Sequence, residues 1–202
     1  MLRIYQKAAF LAAAIFLLGV WAVQAAPVDL PNAQDPQNPN AFVRVYETDD
    51  PDYYQYRNGR YAFNVLVPVS FAIAKEGANR DGASFGAVDA PEMLMAWGAH
   101  NIFKVSPSQA LQNEVREIGP NYITYQASGD DWYVLSWVQN GRAHYKKVFV
   151  SPEYLNVFLL WYPKERGGYY KDVVVKIERS FVPGWKTGRA ILGYGVAREL
   201  FP

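Results

Sequence analysis

A serine between two glycines is the first place in this sequence where side chains could do chemistry. Residues 82–86 read GASFG, a G-x-S-x-G pattern, and Asp130 or Asp131 and then His144 follow along the chain. α/β-Hydrolases carry their nucleophile, acid and base in this order, with a buried strand before the serine and a helix after it. Here the polar KEGANRDG precedes the serine and AVDAP follows it. We therefore expect no catalysis, and a serine hydrolase using Ser84 stays the alternative.

Metal binding would need clustered ligands, and the sequence offers only loose groups of them. The two histidines, His100 and His144, have no second histidine or cysteine at ligand spacing. The acidic stretch near residue 80 does not fit an EF-hand loop. The first and twelfth positions of such a loop should be acidic, and here they would be Gly77 and Val88. The oxygen ligands of that stretch are Asn79, Asp81, Asp89 and Glu92. We predict no metal site, no cofactor and no catalytic residue.

The first 25 residues have the order of a secretory signal peptide. Two basic residues precede an apolar run over residues 8–23, and Val23 and Ala25 fit the small-residue positions before a cleavage site. The run is shorter than the about 20 residues that a spanning helix needs, so an uncleaved membrane anchor is the second interpretation. We predict cleavage before Ala26 and a periplasmic or extracellular protein, with membrane contact only through the leader if it is left uncleaved.

Composition excludes several classes of protein. The 202 residues suit one domain, and half of them are hydrophobic. Without the two basic residues of the leader, 18 basic residues face 19 acidic ones, so we expect neither nucleic-acid binding nor a polybasic membrane clamp. The chain has no cysteine, which excludes disulfides, thiolate metal sites and a lipid-anchored lipoprotein.

The elements that must position any site follow the leader. Residues 26–41 hold four prolines among Asn, Gln and Asp and are predicted to be a flexible linker. Residues 42–184 form the predicted domain, and 185–202 a C-terminal extension. Ser106-Pro107 predicts a helix start that Gly119-Pro120 ends, and apolar residues recur at helical spacing over 170–181. Strand-like runs lie before the first of these helices and between the two.

Those runs predict an antiparallel sheet. The clearest covers residues 61–67, and two more, 132–138 and 142–150, flank Asn140-Gly141, a strong hairpin signal. Strands in series with helices set against them indicate an α+β sandwich with a sheet of about six strands.

Four short phrases resemble a known group of proteins. They are NGRYAFNVLVP at 58–68, DGASF at 81–85, LWYP at 160–163 and IERSFVPGW at 177–185. In this order they resemble exported bacterial members of the PsbP-like superfamily, which is named for an extrinsic protein of photosystem II and includes DcrB-like proteins. The resemblance covers roughly residues 56–184. It departs at Ala62, where such motifs frequently have glycine, and in the C-terminal extension.

The resemblance implies a function without chemistry. Known relatives act as assembly factors, binding proteins or accessory subunits, and an antiparallel sheet flanked by helices is implied without a built-in catalytic site. We therefore expect a non-catalytic exported domain that binds or supports another envelope protein. A small-ligand or metal-binding periplasmic protein is a further alternative. Aromatic side chains that could contact a partner are Tyr53, Tyr54, Trp185 and Tyr194.

Overall fold

The computed structural model describes residues 25–31, 42–87 and 90–192, which form two antiparallel sheets and two α-helices. Four strands follow one another in the smaller sheet: β1 (Pro27–Pro31), β2 (Phe42–Tyr46), β3 (Tyr53–Arg57) and β4 (Asn64–Pro68). The larger sheet has the order β5-β6-β7-β11-β10-β9-β8. Its strands are β5 (Ile73–Glu76), β6 (Gly82–Gly86), β7 (Met93–His100), β8 (Ile123–Ser128), β9 (Trp132–Gln139), β10 (Arg142–Val150) and β11 (Tyr154–Pro163).

The helices pack on opposite faces of the larger sheet. Helix α1 (Pro107–Ile118) lies on the outer face over β8, β9 and β10, where Leu111 joins one apolar cluster. Helix α2 (Gly167–Ser180) and the smaller sheet cover the inner face and enclose the main core, which includes Phe63, Phe158 and Ile177. The α+β sandwich predicted from the sequence is therefore confirmed, with eleven described strands in two sheets where one sheet of about six was expected.

Local signals set the start of helix α1 and one hairpin. The Ser106 hydroxyl accepts a hydrogen bond from the Gln109 N–H, and the Gln109 side chain accepts one from the Ser106 N–H, so α1 begins with a capping box. Asn140 and Gly141 have φ of 51° and 73°, as the hairpin between β9 and β10 requires. The predicted helices and this hairpin are confirmed.

Residues 26–41 were expected to be a flexible linker, and that expectation is wrong where β1 forms, at Pro27–Pro31. Val28 and Leu30 point toward the core, and Leu30 is buried. Arg44 on β2 forms a two-bond ion pair with Asp29. The two prolines stand at the ends of an edge strand, where a missing N–H costs little. Residues 32–41 lie outside the described part, as do residues 1–24 of the predicted leader.

The phrase NGRYAF forms a buried loop between β3 and β4 instead of the first residues of a strand. The Asn58 side chain accepts hydrogen bonds from the N–H groups of Arg60 (3.1 Å) and Tyr61 (2.6 Å). Ala62 has a φ of 58°, a left-handed conformation that favours glycine. A glycine would adopt this conformation without strain. Tyr61 and Phe63 are buried.

Part of the C-terminal extension belongs to the domain. Val182 and Asn64 exchange two backbone hydrogen bonds, and the Leu192 N–H donates to the Arg60 carbonyl. The Gly184 N–H donates to Oδ1 of the buried Asn156 at 2.7 Å. Residues 182–192 thereby attach to the start of β4 and to the loop before it. Among the described residues, no helix is both long and apolar enough to cross a bilayer.

Candidate functional site

The structure separates the three groups of the hydrolase pattern. Ser84 on β6 and His144 on β10 face the same side of the larger sheet, with β7 and β11 between them. Three strand spacings amount to about 14 Å. Asp130 and Asp131 precede β9 at the end of the sheet away from His144, and Asp131 pairs with Lys186 at 2.6 Å. Ser84 therefore has neither His144 nor either aspartate within hydrogen-bonding reach.

Ser84 borders a shallow depression on the outer face of the larger sheet. The depression has a volume of about 390 Å³ and is mainly apolar, and Met95 and Trp97 of β7 line it together with Lys75 of β5. Helix α1 lies over β8 to β10 and leaves this part of the sheet uncovered. Ser84 is thus a half-buried strand residue beside apolar side chains, not the apex of a turn between a strand and a helix.

His144 takes part in an aromatic stack. Its ring lies parallel to that of Trp137, with a centroid distance of 4.6 Å, and Trp161 approaches from β11. Burial lowers the pKa of His144 below its ordinary value of 6.5, although hydrogen bonds with the backbone of Trp137 and Arg142 act in the opposite direction. The imidazole is therefore mainly neutral at pH 7 and serves as a flat packing group.

The acidic residues suspected of binding calcium are used in ion pairs. Asp81 pairs with the guanidinium of Arg60, and the buried Glu92 pairs with Arg166. Asp89 lies outside the described residues. In residues 25–31, 42–87 and 90–192, no three potential metal-binding side chains come together. His100 packs against the rings of Tyr61 and Tyr154, which also contact each other.

A polar cluster joins α2 to β10 on the inner face. Glu178 accepts hydrogen bonds from the Tyr145 hydroxyl (2.7 Å) and the Lys147 ammonium (2.9 Å). Burial acts to raise the pKa of Glu178, but the bonds from Lys147 and Tyr145 outweigh it, so the pKa lies below its ordinary value of 4.5. Burial, with the nearby carboxylate, raises the pKa of Tyr145. Every charge has a counterpart, and the cluster fixes the helix to the sheet.

The aromatic residues predicted to contact a partner present little free surface. Tyr53 is 9% exposed and belongs to the core, with the Lys176 ammonium 4.7 Å from its ring centroid. Tyr54 and Trp185 are half-buried and pack against the same core. Tyr194 lies outside the described residues.

A different group of apolar side chains is exposed. Between β7 and α1, residues 101–104 form a tight turn that we call the apolar turn, closed by a hydrogen bond from the Lys104 N–H to the Asn101 carbonyl. Ile102 is 74% exposed and Phe103 88% exposed at its tip. Phe103 is the most exposed of the large hydrophobic residues that the structure describes.

The apolar turn is held in one conformation by its neighbours. Asn101 is buried, and its amide donates to the carbonyls of Val105 (3.0 Å) and Ser151 (2.8 Å) while its Oδ1 accepts from the Val105 N–H. The Lys104 ammonium donates to the Pro152 carbonyl at 2.8 Å. These bonds tie the turn to the hairpin between β10 and β11, so Ile102 and Phe103 are presented on a fixed base.

Sequence reasoning did not select the apolar turn. The signal was present, because NIFK places two large apolar residues in a short connection just before a Ser-Pro helix start, where turn residues are usually small or polar. Whether such residues are covered depends on the path of distant segments. Only the fold shows that Ile102 and Phe103 remain outside it.

Comparisons with known proteins bear on the fold. Neither the protein-family models nor the curated proteins include a match to this chain. Among solved structures, the chain is similar to cyanobacterial PsbP (CyanoP) from Synechocystis sp. PCC 6803, with a TM-score of 0.52 at 13% sequence identity. The match covers 67% of this chain and 95% of the other. At this identity the similarity concerns architecture alone, and this chain has a PsbP-like fold.

Proposed function

We propose that this chain is an exported, non-catalytic domain that binds and supports another protein of the cell envelope, and that the apolar turn makes the contact. The observation that carries the proposal is the rigid exposure of Ile102 and Phe103. The PsbP-like fold fits a supporting role. The wide separation of Ser84, His144 and the aspartates favours binding over hydrolysis, and the order of residues 1–25 supports export.

Exposure of two large side chains is unfavourable unless they are covered in a complex. Burying a Phe or an Ile side chain contributes about 1.5–3 kcal/mol each. Because the bonds of Asn101 already fix the backbone of the turn, little ordering entropy is lost when a partner covers it. The fitting partner surface is an apolar pocket deep enough for one aromatic ring. Contacts through Tyr53, Tyr54, Trp185 and Tyr194 stay predictions.

Crosslinking in living cells tests the contact. A photoreactive phenylalanine analogue replaces Phe103 in one strain and Tyr169, another exposed aromatic residue, on α2, in a matched control strain. We expect one envelope protein to be crosslinked from position 103 and not from position 169. With that protein purified, Phe103→Ser should weaken binding by about 10–100-fold, the loss of one buried ring.

Two outcomes contradict this function. The first is an affinity of Phe103→Ser for the captured protein equal to that of the wild type. The second is labelling by a serine-reactive fluorophosphonate that disappears in Ser84→Ala, which would favour the hydrolase. Export is measured separately, by sequencing the N-terminus of the accumulated protein, where we expect Ala26 as the first residue.

A further inference from the structure

The edges of the two sheets differ in how they are protected. An exposed edge strand is a template for another strand, and proteins usually block it with charge, proline, a short strand or a covering segment. The outer edge of β1 begins and ends with proline. The β4 edge is covered, because the Leu66 N–H donates to the Ser180 hydroxyl and Asn64 is bridged to Val182. Strand β5 is short and carries Lys75 and Glu76.

Among the described residues, strand β8 has neither charge, proline nor a covering segment, and its one irregularity is a β-bulge between Ile123 and Tyr125 in its pairing with β9. It is six residues long and reads ITYQAS. Within the described ranges its only strand partner is β9, so its other side has no neighbouring strand. Most of its residues are exposed, Tyr125 is 54% exposed, and Tyr122, in the turn just before the strand, is 46% exposed. Helix α1 packs on the outer face of this part of the sheet, over β8, β9 and β10.

We propose that β8 is a self-association edge, at which two copies of this chain pair their β8 strands antiparallel and join two seven-stranded sheets into one. The hydrogen bonds of an edge require an extended strand as occupant. A second copy fits because β8 carries no charge, so its residues can face their own copies without the repulsion of like charges. Pairing about a two-fold axis also gives a closed dimer, in which each β8 edge is covered by the other.

The symmetry fixes which residues meet. An axis perpendicular to the sheet relates two antiparallel strands, and directly opposite residues lie on the same face of the sheet. Because the axis keeps every residue on its own face, the residue nearest the axis lies opposite the same residue of the second copy. If most of β8 is paired, that residue is Tyr125 or Gln126, in the middle of the strand. In either register the two Tyr125 side chains are direct or diagonal neighbours, within about 8 Å.

The area available predicts a weak dimer. A tyrosine buries about 150–250 Å² when fully covered, so the half-exposed Tyr122 and Tyr125 of both copies would together remove roughly 300–500 Å² from water. The paired backbones add a strip about 20 Å long. The tyrosine area alone is well below the about 1,000 Å² at which specific interfaces begin, which is the range of weak complexes. We therefore expect association at micromolar concentrations.

Sedimentation velocity tests the dimer on protein expressed from the full reading frame and purified in the form that cells accumulate. Concentrations from about 1 to 200 µM cover the affinity expected for a weak complex. The wild type should show a reversible monomer–dimer equilibrium. Tyr125→Lys should raise the dissociation constant at least about tenfold, because two lysines then approach each other across the axis. Tyr169→Lys, at a tyrosine 58% exposed on α2, is the matched control and should leave the equilibrium unchanged.

A charge-exchange mixture separates pairing from misfolding. Tyr125→Lys and Tyr125→Glu should each be largely monomeric alone, and an equimolar mixture should recover dimer as the mixed species. A wild type that is monomeric over the whole range would overturn the proposal, and so would equal weakening by Tyr125→Lys and Tyr169→Lys. A mixture no more dimeric than its components would also overturn it. These outcomes are independent of the apolar turn, because none of them involves a second protein.

Discussion

The contact of Tyr61 with Gly98 gives the sharpest quantitative prediction. Gly98 lies on β7, and the ring of Tyr61 from the NGRYAF loop packs directly onto it. An alanine Cβ at this position would be 2.5 Å from Cδ2 of Tyr61 and closer still to Cβ and Cγ. Carbon atoms pack at about 3.5–4.0 Å, so the ring would have to move away by about 1 Å or more.

Tyr61 has little room to move. It is almost fully buried, and its N–H donates to Asn58 Oδ1 at 2.6 Å. Overpacking of this kind typically destabilises the folded state by about 1–3 kcal/mol. Alanine also makes the unfolded chain less flexible than glycine does, and this offsets about 0.4–1 kcal/mol of that loss. We expect Gly98→Ala to lower the free energy of unfolding by about 2 kcal/mol. At about 2–4 °C per kcal/mol for a domain of this size, Tm falls by about 4–8 °C.

Urea and thermal unfolding measure the loss of stability in Gly98→Ala, and Gly86→Ala is the matched control. Gly86 lies on the neighbouring β6, and a Cβ there would meet only the Glu92 carbonyl oxygen at 3.5 Å, an ordinary contact. The control should be as stable as the wild type or slightly more stable. In a Tyr61→Ala background the cost of Gly98→Ala should shrink, because the ring atoms are gone and only the contact with the Cβ of residue 61 is left. Equal stability of Gly98→Ala and Gly86→Ala would refute the reasoning, because the ring would then not rest on Gly98.

Two further predictions concern polar contacts. The folded-state pKa of Glu178 is below its ordinary value of 4.5, so the stability it contributes is present above about pH 4.5 and is lost as the pH falls through the lower folded value. Glu178→Gln should therefore flatten the decline in unfolding free energy between about pH 5 and pH 3, and a decline as steep as that of the wild type would contradict the role given to Lys147. Asn101→Ala should cost about 1–3 kcal/mol in urea unfolding, because buried backbone groups around the apolar turn lose their partner. If its stability equals that of the wild type, the turn is not held by this side chain.

Sequence patterns predicted the elements whose causes are local. The helix after Ser106 has its cap, its first proline and its apolar face within one short segment, and the hairpin at Asn140-Gly141 depends on two residues that accept positive φ. Both were predicted from the sequence and are present. The same patterns could not show that Tyr61 rests on Gly98, because that contact joins segments far apart in sequence.

Three features escaped prediction because their causes are distant. Strand β1 was read as part of a linker, since its prolines are unfavourable for a strand unless the strand lies at an edge. The edge position of β8 depends on the order of strands in the sheet and not on its own residues. The exposure of Phe103 depends on which segments pass over the apolar turn. In each case the deciding information is the arrangement of the whole chain.

The attachment of residues 182–192 to the start of the domain has a consequence for biosynthesis. Asn64 and Arg60 obtain hydrogen-bond partners from Val182 and Leu192, which are synthesised more than one hundred residues later. A nascent chain cannot complete this closure before Val182 and Leu192 have been made, so the two ends of the described domain become joined only after residues 182–192 have left the ribosome.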